Sequence, residues 1–211
     1  MISFNDIWRF GPLYILALTV PVSVSVGGIA VGLVYLAALA VLVQERKQAS
    51  LPAKPVSLAL VALFLTYFLA TAFSMPFPHH WGKFGEELWI KLLVVAIPIL
   101  VGRDTKKLVY ALKLALLIGS LAAIYAVVQH FSGVDPIRDR SLYRPQFGHT
   151  AVTGFFSHHL SYAGQTLIFI MMTAAWFLDN PTDRIRRWLI LPLMTLTLAL
   201  VWSFARSAWV G

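Results

Sequence analysis

The sequence predicts an all-α, polytopic helical membrane protein with about seven spans and the start of an eighth. Three observations predict it. Hydrophobic residues fill 59% of the 211 positions and charged residues 12%, about half the charged share of a typical soluble domain. Mean hydropathy is +0.76. The apolar residues fall in several long runs, and roughly 20 helical residues are enough to cross the hydrocarbon core of a bilayer. A transmembrane barrel would instead show segments of about ten residues with alternating polarity, and the chain has none. Residues 1–211 read as a single transmembrane helical domain.

The spans follow from apolar length and from the polar loops between them. The first two are a close pair, 10–26 and 27–43, with Pro21 and Gly27-Gly28 near the join. The first lacks a small-x-small cleavage site and runs directly into the second, so it reads as a retained helix. After the loop "QERKQASLPAKP" a third span covers 56–75, and the aromatic turn "PFPHHWGKFGEE" follows. His79 and His80 beside Trp81 have the amphipathic character of interfacial anchors. A fourth, short span covers 88–101, with Lys91 and Pro98 near its ends, and a fifth covers 108–128. The long segment 129–159 separates it from a sixth span at 160–178, and the loop "DNPTDRIRR" leads to a seventh at 188–204.

Lys and Arg counts in alternate loops set orientation. With the N-terminus inside, the inner segments hold Arg9, Arg46, Lys47, Lys54, Arg103, Lys106, Lys107, Arg184, Arg186 and Arg187, ten in all. The outer segments hold Lys83, Arg138, Arg140, Arg144 and Arg206, which is five. Lys91 and Lys113 lie near span ends, where long side chains snorkel. The N-terminus is therefore expected in the cytoplasm. The net charge of +8 follows this loop bias, which argues against a nucleic-acid partner. All six histidines fall on the outer side, and so does the expected chemistry.

The outer segment 129–159 carries most of the polar information. "DPIRDRSLYRP" holds Arg138, Arg140 and Arg144 with Asp135 and Asp139. A guanidinium binds phosphate oxygens bidentately and stays charged in any setting, so arginines at a membrane surface suit a diphosphate headgroup. For Arg138 and Arg140 the plainer reading, pairing with Asp135 and Asp139, is favoured two to one. Arg144 and Arg206, with no acid nearby in sequence, stand at even odds between function and structure. His158-His159 suggests a metal, but adjacent helical residues point about 100° apart and do not converge. No carboxylate lies within ten residues of the pair. A hydrogen bond to sugar or phosphate is the better reading, and no metal or other cofactor is expected. There is no cysteine, hence no thiolate site. The chain also lacks a G-x-S-x-G elbow, a phosphate-binding P-loop and H-E-x-x-H. Span interiors carry no carboxylate, which counts against a proton-coupled carrier. Gln129 and Gln165 can hydrogen-bond or simply pack between helices.

Two stretches carry a resemblance. "TGFFSHHLSYAGQTL" (153–167) resembles the segment that opens a middle span in the O-antigen ligase and polymerase family. "WSFARSAWVG" (202–211) resembles that family's Thr-x-Ser-Arg-x-x-x-x-Gly motif. Ala205 replaces the serine before the arginine, while Arg206, Ser207 and Gly211 fit. The paired first spans and "ALTVPVSVSVGGIAVGL" are also similar. The likeness covers the whole chain in layout, and 25 residues carry the motifs.

The resemblance implies a glycosyltransferase of the bacterial inner membrane, active on the periplasmic side. Its donor would be a glycan on undecaprenyl diphosphate and its acceptor the lipid A core or another glycan, with no metal. It assigns Arg206 as catalytic, stabilising the departing diphosphate where charge develops. Arg144, Arg140, Arg138, His158 and His159 would bind substrate. The family's base is a histidine in a later periplasmic loop, so the chain is expected to be an inactive N-terminal portion of a longer protein. Two other classes remain open. A permease would need mid-membrane polar residues, for which Thr66, Thr71, Ser120, Gln165, Thr195 and Thr197 are available. A non-catalytic membrane subunit would tolerate replacement of Arg206 and Arg144.

Overall fold

The computed structural model describes residues 4–44, 54–73, 89, 91–102, 104–142, 150–179 and 183–205. Within them the chain is helical apart from one small β-hairpin. The helices are α1 (Phe4–Thr19), α2 (Val24–Gln44), α3 (Lys54–Phe73), α4 (Leu93–Val101), α5 (Thr105–Ser132), α6 (His159–Asp179) and α7 (Asp183–Trp202). Strands β1 (Val134–Asp135) and β2 (Arg140–Ser141) lie between α5 and α6.

Among the described residues three helices are long and apolar enough to cross a membrane: Ser25–Gln44 of α2, all of α5 and all of α6. Shorter apolar stretches are Ile7–Thr19, Ser57–Phe73 and Arg187–Trp202. Seven full spans are therefore not what these helices provide, and the reasons are local. The first break comes at Pro21 rather than at Gly27-Gly28. Proline lacks an N–H and disfavours helix in the residue before it. Thr19 O closes the turn by accepting from Val22 N and Ser23 N at 3.0 and 2.8 Å. Ser23 then caps α2, its Oγ accepting from Val26 N at 3.4 Å. Both glycines fall inside α2, which gains the residues that the first span loses. The expected fourth span reduces to α4, nine residues around Pro98. The beginning of an eighth span, at 206–211, lies outside the described residues.

The chain divides into two compact units, residues 1–16 with 28–109, and 17–27 with 110–211. In the first, Phe10 and Leu13 of α1, Val34 and Val41 of α2, and Ile99 and Leu100 of α4 are buried. Arg9 Nε donates to Leu100 O at 2.7 Å, placing a cation at the negative end of α4. Tyr35 OH donates to Trp89 O, and the two rings meet edge-on at 4.7 Å.

In the second unit the usual size pattern is reversed. The buried stripe of α5 is mostly small, Ala111, Ala115, Gly119, Ala122, Ala123 and Ala126, with Leu116 and Gln129 the larger members. Its exposed face is large and apolar, with Leu117, Leu121, Ile124 and Val128. Small residues inside let helices approach closely, and large apolar residues outside belong against lipid. The approach is measurable at Gly119, where a Cβ would sit 3.2 Å from the Phe169 ring of α6. Ala163 of α6 packs with Leu200 of α7 and Ala205, flanked by Leu167 and Ile170. Lys113 Nζ rests 5.8 Å from the Tyr110 ring and 5.7 Å from that of Trp176, within cation–π range of both. These features make the chain membrane-protein-like in character.

Candidate functional site

The polar centre of the second unit grows out of the last turns of α5. Tyr125 and Gln129 stand four residues apart, so both side chains leave one face of the helix. Gln129 is fully buried. Its Nε2 donates to Gly154 O at 2.9 Å, and its Oε1 accepts from Thr153 N at 3.1 Å and Gly154 N at 2.9 Å. One side chain thus fixes the loop that precedes α6. His130 Nδ1 lies 3.3 Å from Thr150 O, and its ring stacks on Trp202 at 4.3 Å. The loop is closed further by Val152 N donating to Trp202 O at 3.1 Å. Gly154 takes φ +53° under the Tyr162 ring, and a Cβ there would lie 2.5 Å from it. Only glycine satisfies both the backbone and the ring.

The hairpin turns back beside this loop. Val134 pairs with Ser141 and Asp135 with Arg140. Asp139 adopts φ 46°, a left-handed conformation that aspartate tolerates in turns. Asp135 is buried, and four groups answer its charge. Oδ1 accepts from Tyr125 OH at 2.5 Å and from Arg138 N at 3.3 Å. Oδ2 lies 3.4 Å from Arg140 Nε and 3.7 Å from Arg138 Nη1. Burial pushes the carboxyl up. The tyrosine, the amide and the two guanidiniums outweigh that and hold it below the ordinary carboxylate value.

The two arginines differ in how firmly they are held. Arg138 Nη1 donates to Phe156 O at 2.5 Å and Nη2 to Phe155 O, while Phe155 stacks on Tyr125 at 4.6 Å. Arg140 Nη2 reaches Phe156 O and Ser157 O only at 3.4 Å. Arg138 is a clasp between hairpin and loop. Arg140 is the looser of the two, and it borders a cleft of about 520 Å³. Ser141, Leu142, Thr153, Ser157, His158 and His159 line it as well.

The histidines take separate parts here. His158 precedes the first residue of α6, and its Nδ1 accepts from Leu160 N at 3.2 Å, a capping bond. That bond assigns the proton of the neutral ring to Nε2, leaving an N–H donor for a ligand. His159 stacks on His158 at 4.5 Å. With Arg140 and the positive end of α6, the cleft is chemically suited to an oxyanion.

Of the six expected site residues, Arg140, His158 and His159 share this cleft, and Arg138 clasps the neighbouring loop at Phe155 and Phe156. Arg144 and Arg206 lie outside the described residues, as do His79, His80 and His149. Among the described residues no three His, Asp or Glu side chains gather into a metal-binding group. Sequence reading missed Tyr125 as the partner of Asp135 and left Gln129 open between bonding and packing. The signal was available: two polar residues four apart at the end of an apolar span point to one polar contact region. Comparison with known protein families, characterised proteins and solved structures finds no match.

Proposed function

We propose that the chain contributes the donor-binding face of a membrane glycosyltransferase of the O-antigen ligase and polymerase type. It would sit in the inner membrane with its N-terminus inside, crossed by α2, α5 and α6 among its helices. The donor would be a glycan on undecaprenyl diphosphate, and the acceptor the lipid A core or another glycan. The observation that carries this reading is the cleft itself. A loosely held guanidinium, two histidines and a helix N-terminus converge at the end of an apolar span, where a lipid-borne diphosphate would present its oxygens. Electrostatic stabilisation there favours the leaving group as its charge develops.

The permease reading is weaker, because the span hydroxyls are occupied locally. Thr66, Ser120, Thr195 and Thr197 each donate to a carbonyl of their own helix.

The test is glycan transfer from the lipid-linked donor in native membranes, with the variants introduced at the gene so that the protein is made as the cell encodes it. Arg140→Ala is expected to lower transfer by about a hundredfold, in keeping with loss of one transition-state donor. Arg140→Lys should rescue poorly because the planar fork is gone, and Arg206→Ala should abolish transfer. Normal transfer by both alanine variants would refute the assignment.

A further inference from the structure

The hairpin between α5 and α6 does not project away from the bundle. Its tip folds back along α5, because Ile137 N donates to Tyr125 OH at 3.2 Å and Asp135 accepts from the same hydroxyl. Tyr125 precedes the last residue of α5, Ser132, by seven positions, about 10 Å of helix. The 28 residues of α5 span about 42 Å, against a hydrocarbon core of roughly 30 Å. Centred and upright, the helix protrudes about 6 Å at each end, which sets Tyr125 about 4 Å inside the hydrocarbon boundary.

The tip is built for that depth. Ile137 is 64% exposed, and Pro136 beside it is exposed as well. Pro136 has no amide proton to leave unpaired, and Ile137 N is already bonded. Behind the tip Asp135 lies between Arg138 and Arg140, one carboxylate facing two guanidiniums, and Asp139 closes the turn exposed. At the same end of α5, Ile124, Val128 and Phe131 are exposed and apolar.

We infer that Pro136–Ile137 is a wedge seated among the outer acyl segments of the bilayer, with lipid as its partner. This rests on the membrane reading of α5. Arg140 belongs to the same hairpin, so the wedge would hold the cleft at headgroup depth.

The chain has no cysteine, so single-cysteine variants report cleanly. Ile137→Cys, Ile124→Cys on the lipid face of α5 and Ser157→Cys at the rim of the cleft are reconstituted in phosphatidylglycerol–phosphatidylethanolamine vesicles. Labelling by a membrane-impermeant maleimide is followed. Nitrobenzoxadiazole attached to each cysteine is then quenched by lipids with a nitroxide on the fifth acyl carbon. The inference expects position 137 to label at least about tenfold more slowly than 157, because an apolar setting suppresses the thiolate, and to be quenched by the nitroxide lipid. Fast labelling at 137 with slow labelling at 124 overturns the wedge and leaves the membrane reading standing. Protection at 137 without lipid quenching also overturns it, since a protein surface then covers the tip. Fast labelling at 124 overturns the membrane reading and the wedge together. Pro136→Cys repeats the measurement should Ile137→Cys fold poorly.

Discussion

Gln129 is the strongest point of leverage on the cleft, and Gln129→Ala tests that directly. The native amide serves three backbone groups, Thr153 N, Gly154 N and Gly154 O. All of them belong to buried residues. Truncation leaves the two N–H donors without an acceptor, while Gly154 O keeps a long bond of 3.5 Å from Thr153 Oγ1. An unmet buried donor costs about 1–2 kcal/mol, so the loop should lose roughly 2–4 kcal/mol of local stability. That corresponds to a thirty- to thousandfold rise in opening, on the order of one decade per 1.4 kcal/mol. Hydrogen exchange on the purified protein in nanodiscs reads this at the Thr153 and Gly154 amides, which report local opening. Gln129→Glu separates the two halves of the clamp. It keeps an acceptor for both amides but presents an oxygen to Gly154 O, so its exchange should fall between native and alanine protein. If Gln129→Ala leaves the two amides within about threefold of native exchange, the clamp reasoning is wrong.

Two further outcomes follow from the same geometry. Gly154→Ala should destabilise the protein by about 2–4 kcal/mol, combining a left-handed backbone penalty with overpacking against Tyr162. Thermal unfolding of Gly154→Ala, Tyr162→Ala and the double variant should show less-than-additive losses, since removing the ring removes the clash. Asp135 makes the hairpin acid-sensitive in a defined direction. Its folded pKa is depressed, so its contribution is fully present above the unfolded value of about 3.9 and is lost as pH falls through the folded one. Exchange at the Ile137 and Arg138 amides should therefore stay constant from neutral pH down to about 4, after correction for intrinsic rates, and rise below it. Asp135→Asn should remove that dependence and loosen the hairpin at every pH.

The helical class was legible because hydropathy is a local property. The runs that became α5 and α6 needed only composition and length, and their bounds moved by a few residues. Counting spans failed where one residue outweighed the hydropathy of its neighbours. Pro21 ended α1 early and lengthened α2, and the segment around Pro98 shortened to nine helical residues. The segment 129–159 was recognised as polar and chemically important, yet its hairpin was not foreseen. Two-residue strands are too short for a period of two to show.

The sequence by itself determined that this chain belongs with membrane helices, and that arginine and histidine concentrate between α5 and α6. Composition decides both, because a bilayer selects for apolar length whatever the helices touch. Only the tertiary structure decided which cations are bound and which face a cleft. Arg138 and Arg140 are two residues apart and chemically identical, but one is fastened to the Phe155 and Phe156 carbonyls by short bonds while the other, on longer bonds to Phe156 and Ser157, borders the cleft. That difference comes from Tyr125 and Gln129, a turn of helix apart and remote in sequence from the loop they hold. No local pattern encodes a contact between residues 25 positions apart; the close approach of the small-residue face of α5 to α6 does.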